Sequence, residues 1–169
     1  MLLKIKTFPE LSLEELYEIL RLRSEVFIVE QAGCYQDLDR IDYRSTHIYI
    51  AEQSGELAGC IRVFLKEDEP GTVQLGRLVV KNRMQGLGKQ LMEAAEDIAR
   101  KQYGAEKLFL TGRRSARGFY EKCGYCRQLP QGYTEQSAPY YLFSKQLIRD
   151  GSVLNPRSKT RSARRTADA

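Results

Sequence analysis

Apolar and polar residues alternate from Leu2 to Phe8, the two-residue period of a strand with one buried face. The period then lengthens. Leu13, Leu16, Tyr17, Leu20 and Phe27 recur on or near one helical face. Ser12 with Glu15 makes a capping box at the start of this helix, and Leu11 with Leu16 suits a hydrophobic staple. The pattern predicts a helix running to about 26–29. Residues 30–44 are polar and irregular and read as a loop with room for a short helical turn. His47–Gln53 and Leu57–Lys66 are alternating runs joined by Ser54-Gly55-Glu56, which predicts a hairpin. A turn at 68–71 leads to a third run, Thr72–Val80, so three antiparallel strands should meander. Leu87, Leu91, Ala94, Ala95 and Ile98 then mark a second helix, with Gly104 as its C-cap. Lys107–Leu110 reads as a buried strand, parallel to its neighbour through a right-handed crossover. Ser115–Lys122 reads as a short helix, and Tyr125–Leu129 and Pro139–Leu147 as two closing strands. The order predicts an α/β chain built on one mixed sheet flanked by helices, with no internal repeat.

Composition narrows this picture. A chain of 169 residues, 42% hydrophobic with 10 Tyr and 6 Phe, suits one soluble globular domain, placed at residues 1–148. No run is long and apolar enough to span a membrane. The start, Met1 to Thr7, lacks the layout of a signal peptide, so a cytoplasmic protein is expected. The net charge of +5 is concentrated after Arg149, in Arg157, Lys159, Arg161, Arg164 and Arg165. Residues 149–169 carry almost no bulky apolar residue beyond Leu154 and read as a disordered basic tail. Such a tail is either a solvated end or a contact for nucleic acid. Cys123-Gly-Tyr-Cys126 follows a predicted helix rather than opening one, the wrong end for a redox pair. With one His, and with Cys34 and Cys60 far apart, no metal site is expected.

The informative chemistry lies in Arg83-Met84-Gln85-Gly86-Leu87-Gly88, between a predicted strand and a predicted helix. Glycines let backbone approach a ligand, first-turn N–H groups lack partners, and the helix dipole favours negative charge there. A Walker A loop fails, because Gly88-Lys89 is followed by Gln90 and the earlier glycine position holds Arg83. A dinucleotide fingerprint fails at Leu91, where a third glycine is needed.

What remains, Arg/Gln-x-x-Gly-x-Gly, resembles the acetyl-CoA pyrophosphate loop of the GNAT N-acetyltransferases. Phe119-Tyr120-Glu121-Lys122-Cys123-Gly124-Tyr125 matches that family's Phe-Tyr-x-x-x-Gly-Phe/Tyr signature. A third segment looks like the ElaA-type branch: Arg23 to Gln31, then Cys34, Tyr35-Gln36-Asp37, Asp39, Asp42 and His47. The resemblance implies a mostly antiparallel sheet splayed between strands 4 and 5. It implies acetyl-CoA as acyl donor, an amine acceptor and a monomer or homodimer. Only Lys81 and Asn82 separate Val80 from Arg83, two residues fewer than is usual in the family.

The resemblance also carries site residues. Backbone groups of Leu78, Val79 and Val80 should pair with the pantetheine arm, and Gln85, Gly86, Leu87, Gly88 and Lys89 should cradle the pyrophosphate with Arg83 beside them. Ser115 and Phe119 are expected along the same cofactor. Tyr120 is expected to protonate the leaving thiolate. The base is open among Glu30, Asp37, Asp39, Asp42 and His47, with Glu30 preferred. The three aspartates would suit a cationic acceptor, whereas Arg113 and Arg114 would suit the nucleotide 3′-phosphate or an acidic acceptor. No Cys is expected where a covalent acetyl intermediate would need one, unless Cys60 or Cys123 faces the gap between strands 4 and 5. The alternatives to an acetyltransferase are a non-catalytic acetyl-CoA sensor and an enzyme resembling the acyl-homoserine-lactone synthases.

Overall fold

The computed structural model describes residues 1–128, 133–135 and 138–147. The tail expected over 149–169 and the end of the strand expected over 125–129 lie outside them. Strand β1 (Leu2–Thr7) is followed by a 3-10 turn and helix α1 (Leu13–Arg23). The Ser12 capping box forms: Ser12 Oγ accepts from the Glu15 N–H at 3.2 Å, and the Glu15 carboxylate accepts from the Ser12 N–H at 3.0 Å. The helical path does reach Glu30, but Ser24–Glu30 widens into π geometry, with the Gln31 N–H donating to Val26 O. The sequence could not show this, because a wide turn takes in one extra residue without altering composition. A 3-10 turn, Ile41–Arg44, follows the loop.

Strands β2 (Thr46–Ala51), β3 (Leu57–Leu65) and β4 (Thr72–Val80) form the expected antiparallel meander, with β1 on the outer edge of β2. Helix α2 (Leu87–Tyr103) starts after Gly86 and ends at Gly104, both in left-handed conformation. It leads to β5 (Lys107–Arg113), which lies parallel to β4. Next come a 3-10 turn at Arg114–Ala116, helix α3 (Arg117–Lys122), and strands β6 (Cys126–Arg127), β7 (Tyr133–Glu135) and β8 (Ala138–Gln146). Among the described residues the sheet order is β1-β2-β3-β4-β5-β8-β6, with β7 also on β8. Strand β7 was not predicted, and β5 runs three residues further than expected.

Helices cover both faces of this sheet, so β2 is buried along its whole length. On one face, Leu91, Met92, Ala95 and Ala99 of α2 pack on Ile48, Ile50, Ile61, Val63, Val73 and Leu75. On the other, Ile19 and Leu22 of α1, with Val26 from the wide turn, pack on Tyr49, Cys60 and Val79. Among the described residues no helix is long and apolar enough to cross a membrane.

Candidate active site

The two central parallel strands part company halfway along. Pairing of β4 with β5 runs from Thr72–Lys107 to Leu75–Leu110 and stops there. Beyond that point Thr111–Arg113 of β5 pair with β8, while Val79 and Val80 of β4 pair with β3. The sheet therefore opens between β4 and β5. A bulge sharpens the opening. Cys60 faces Val79 and Arg62 faces Gly76, so Arg77 and Leu78 together oppose Ile61 alone. Arg77 takes a left-handed φ of 55° to do this.

Two cavities meet at the opening. The larger, about 490 Å³, is lined by Leu78, Val79, Val80, the loop from Asn82 to Lys89, Val26, Gln31, Ala116, Phe119 and Tyr120. The smaller, about 180 Å³, is lined by Phe27, Gln31, Tyr35, Arg77, Leu78, Thr111, Gly112, Arg113, Ala116, Tyr120 and Tyr140. Gln31, Leu78, Ala116 and Tyr120 belong to both. Tyr120 thus stands at the junction. Its ring lies against Gly112 so closely that a Cβ there would come within 2.3 Å of it. Phe119, stacked edge-on against Tyr120 at 5.3 Å, fits over Gly88. Burial pushes the Tyr120 hydroxyl up to about 12, so it stays protonated at neutral pH.

The loop ahead of α2 has the anatomy of an anion site. Gly86, at φ 77°, is the N-cap and offers no side chain to the first-turn N–H groups. No acidic residue sits in that turn, and Lys89 does. Eleven of the twelve residues expected along the cofactor — Leu78, Val79, Val80, Arg83, Gln85, Gly86, Leu87, Gly88, Lys89, Phe119 and Tyr120 — line the larger cavity. Ser115 does not: it is exposed on its turn, and its neighbour Ala116 takes the place. Arg83 is exposed and ion-paired with Glu30, across the loop's mouth. Glu30 itself lines neither cavity, although it adjoins Gln31, which lines both.

The remaining candidate bases are already engaged. Arg23, wholly buried, donates to Asp37 at 2.9 Å and to Asp42 at 2.7 Å. Arg62 donates to Asp42 at 3.0 Å and to Asp39 at 2.8 Å. Arg77 donates to Asp37 at 2.6 Å and to Asp39 at 3.1 Å. Three carboxylates meet three guanidinium groups. Burial alone would raise the Asp42 carboxyl, but hydrogen bonds from Arg23 and the charges of Arg23 and Arg62 outweigh it and hold it below the usual range. The aspartates therefore carry no spare negative charge for a cationic acceptor, which corrects that expectation. His47 is buried, its Nε2 3.0 Å from the Asp42 carbonyl, and burial lowers its pKa against the pull of Asp42. Cys60 lies in the core between α1 and the sheet, its thiol pushed up to about 12 by burial. Cys123 caps the end of α3.

Sequence reasoning missed Arg77, Tyr35 and Gln31 as cavity residues. A signal was present for Arg77: it is the lone charge inside the run Val73 to Val80.

The sequence profile of the acetyltransferase (GNAT) family matches residues 13–125. A UPF0039 protein of Schizosaccharomyces pombe is 31% identical over 138 residues, covering 80% of this chain and 90% of that protein. Protein ElaA of Escherichia coli is 28% identical over 82% of this chain and 92% of its own. The crystal structure of that ElaA superposes with a TM-score of 0.77 at 27% identity, covering 85% of this chain and 97% of that one. An acyl-CoA N-acyltransferase from Pseudomonas aeruginosa superposes equally well, with a TM-score of 0.77 at 29% identity over 85% of this chain and 99% of that one. The splayed sheet, the glycine loop on α2 and these relatives agree: the chain belongs to the acetyltransferase (GNAT) family of acyltransferases, in its ElaA-like branch.

Proposed function

We propose that this acyltransferase moves an acetyl group from acetyl-CoA to a primary amine by direct transfer in a ternary complex. The observation that carries the reading is the meeting of two cavities beside the unpaired edge of β4, with Tyr120 lining both. The larger takes the donor. Its pyrophosphate rests on the N–H groups of Gln85 to Lys89, and its pantetheine arm lies along Leu78 to Val80 like an added strand. An N–H on that edge also hydrogen-bonds the thioester carbonyl, most strongly as negative charge grows on its oxygen. The amine enters through the smaller cavity and attacks the carbonyl carbon. Collapse of the tetrahedral intermediate breaks the C–S bond and leaves a thiolate beside Tyr120.

A tyrosine near 12 is a weaker acid than a thiol near ~8.5, so complete proton transfer runs uphill. Tyr120 therefore acts chiefly by a hydrogen bond that strengthens as the thiolate forms. The attacking amine must first lose its own proton. Arg83 turns to the pyrophosphate when donor binds and frees Glu30, which takes that proton through water at the mouth beside Gln31. The buried, weakly acidic thiol of Cys60 supports direct transfer over a covalent acetyl intermediate.

The test is thiol release from acetyl-CoA with a panel of primary amines. We expect release that depends on the amine. Glu30→Gln should lower kcat/KM most below the acceptor's own pKa, with acetyl-CoA affinity kept. Tight acetyl-CoA binding without release for any amine would replace this reading with a sensor.

A further inference from the structure

The acceptor cavity contains two arginines with unequal prospects. Arg77 is satisfied by Asp37 and Asp39 and lies over the Tyr35 ring at 5.6 Å. Arg113 is not. Among the described residues it has no carboxylate partner, and its one hydrogen bond is a long one, 3.4 Å from Nη2 to the carbonyl of Gln31. Its Nε is buried and has no hydrogen-bond partner among the described residues. Among the described residues no carboxylate lines this cavity. A buried guanidinium edge without an acceptor is costly, and a planar fork of N–H donors matches a carboxylate in bidentate fashion. The β5 residue that carries it sits next to Gly112, against which the Tyr120 ring packs. An anion held by Arg113 would therefore lie a few atoms from the reacting amine.

We propose that Arg113 selects the acceptor, and that the acceptor is a small primary amine bearing a carboxylate. The inference rests on the acetyl-transfer reading above and names its second substrate. Phe27, Tyr35 and Tyr140 supply aromatic walls for the rest of that molecule. The volume, about 180 Å³, lies below the ~300 Å³ at which pockets for drug-sized ligands begin, so the acceptor is compact. The alternative expected for Arg113, the nucleotide 3′-phosphate, is disfavoured because the residue lines the acceptor cavity and not the donor one.

The experiment uses matched amines with the full chain. β-Alanine is set against propylamine, and phenylalanine against phenethylamine, with O-phosphoethanolamine as a third anionic arm. Concentrations are corrected to equal free amine. Each carboxylated acceptor should show a KM lower than its neutral partner, by a factor on the order of ten to a hundred. Arg113→Gln should erase that preference through acceptor KM while acetyl-CoA affinity holds, and Arg113→Lys should restore part of it. Equal or better use of the neutral amines by the unaltered protein overturns the proposal, and so does a preference for the phosphorylated amine alone. A rise in acetyl-CoA KM without change in acceptor KM for Arg113→Gln reassigns the residue to the nucleotide. If no acceptor releases thiol, calorimetric titration of the same pairs into the CoA-saturated protein decides. Tighter binding of the carboxylated member then sustains the inference while the transfer reading fails, and indifference or no binding defeats it.

Discussion

Tyr120 and Gly112 are one device. The ring stands at the junction of the two cavities only because residue 112 has no Cβ, which would lie 2.3 Å from the ring. Tyr120→Phe keeps the packing and removes the hydroxyl. It should lower kcat more than it raises the KM for acetyl-CoA, by a factor on the order of a hundred if the hydrogen bond to the thiolate carries the step. Gly112→Ala should reach a similar kcat by displacing the ring, with a loss of thermal stability that Tyr120→Phe lacks. Steady-state kinetics on the double variant then separates the causes. Losses that fail to add place both residues in one interaction, whereas simple additivity would part them. The hydroxyl's pKa of about 12 adds a second check. An acid that works protonated loses activity only as pH rises through its pKa, so rates should not fall below about pH 10 on its account.

Elements carry the rest of the site, and their legibility was uneven. The glycine loop and α2 could be read directly, because Gly86 and Gly104 punctuate a clean helical period and both adopt left-handed backbone. The closing of the Ser12 cap was equally plain. The bulge in β4 was not. Val73 to Val80 reads as an unbroken buried strand, and a bulge adds one residue without altering composition. The wide turn at Ser24–Glu30 hid for the same reason. The three aspartates misled differently: their loop position was correct, but their partners Arg23, Arg62 and Arg77 come from three distant elements that only folding assembles. For the loop, the decisive change is Gly86→Ala. At φ 77° a Cβ meets no atom, so the cost is conformational, about 1–2 kcal/mol. If the first-turn N–H groups hold the pyrophosphate, calorimetry should show weaker CoA binding, and pantetheine fragments that lack the pyrophosphate should be indifferent to the change. Equal weakening for CoA and for acetyl-pantetheine would move the pyrophosphate elsewhere.

At the scale of the molecule, the Arg–Asp lattice joins α1, the 37–42 loop, β3 and β4 beside the smaller cavity, which Arg77 lines, so stability and site geometry share one set of charges. It also fixes how the fold meets acid. His47 is held neutral: burial lowers its pKa, Asp42 opposes this, and Arg23 and Arg62 add to it. Unfolded, it titrates near ~6.5. Below that pH the unfolded chain binds a proton that the folded chain refuses, so stability falls as pH drops through about 6.5 and levels once the folded pKa is passed. Asp39 and Asp42 come next. Burial would raise both, but Arg62 and Arg77 at Asp39, and Arg23 and Arg62 at Asp42, hold their folded pKa values below the ordinary carboxylate value. Their contribution is complete above about 4 and is lost as pH falls through the folded values. The urea midpoint should therefore descend in two steps. His47 is the chain's one histidine, so the first step is assignable. His47→Gln, which keeps a donor for the Asp42 carbonyl, should flatten the midpoint between pH 7.5 and 5 while the lower step stays. A slope over that range equal to that of the unaltered protein would mean that some other group sets the acid limit of the fold.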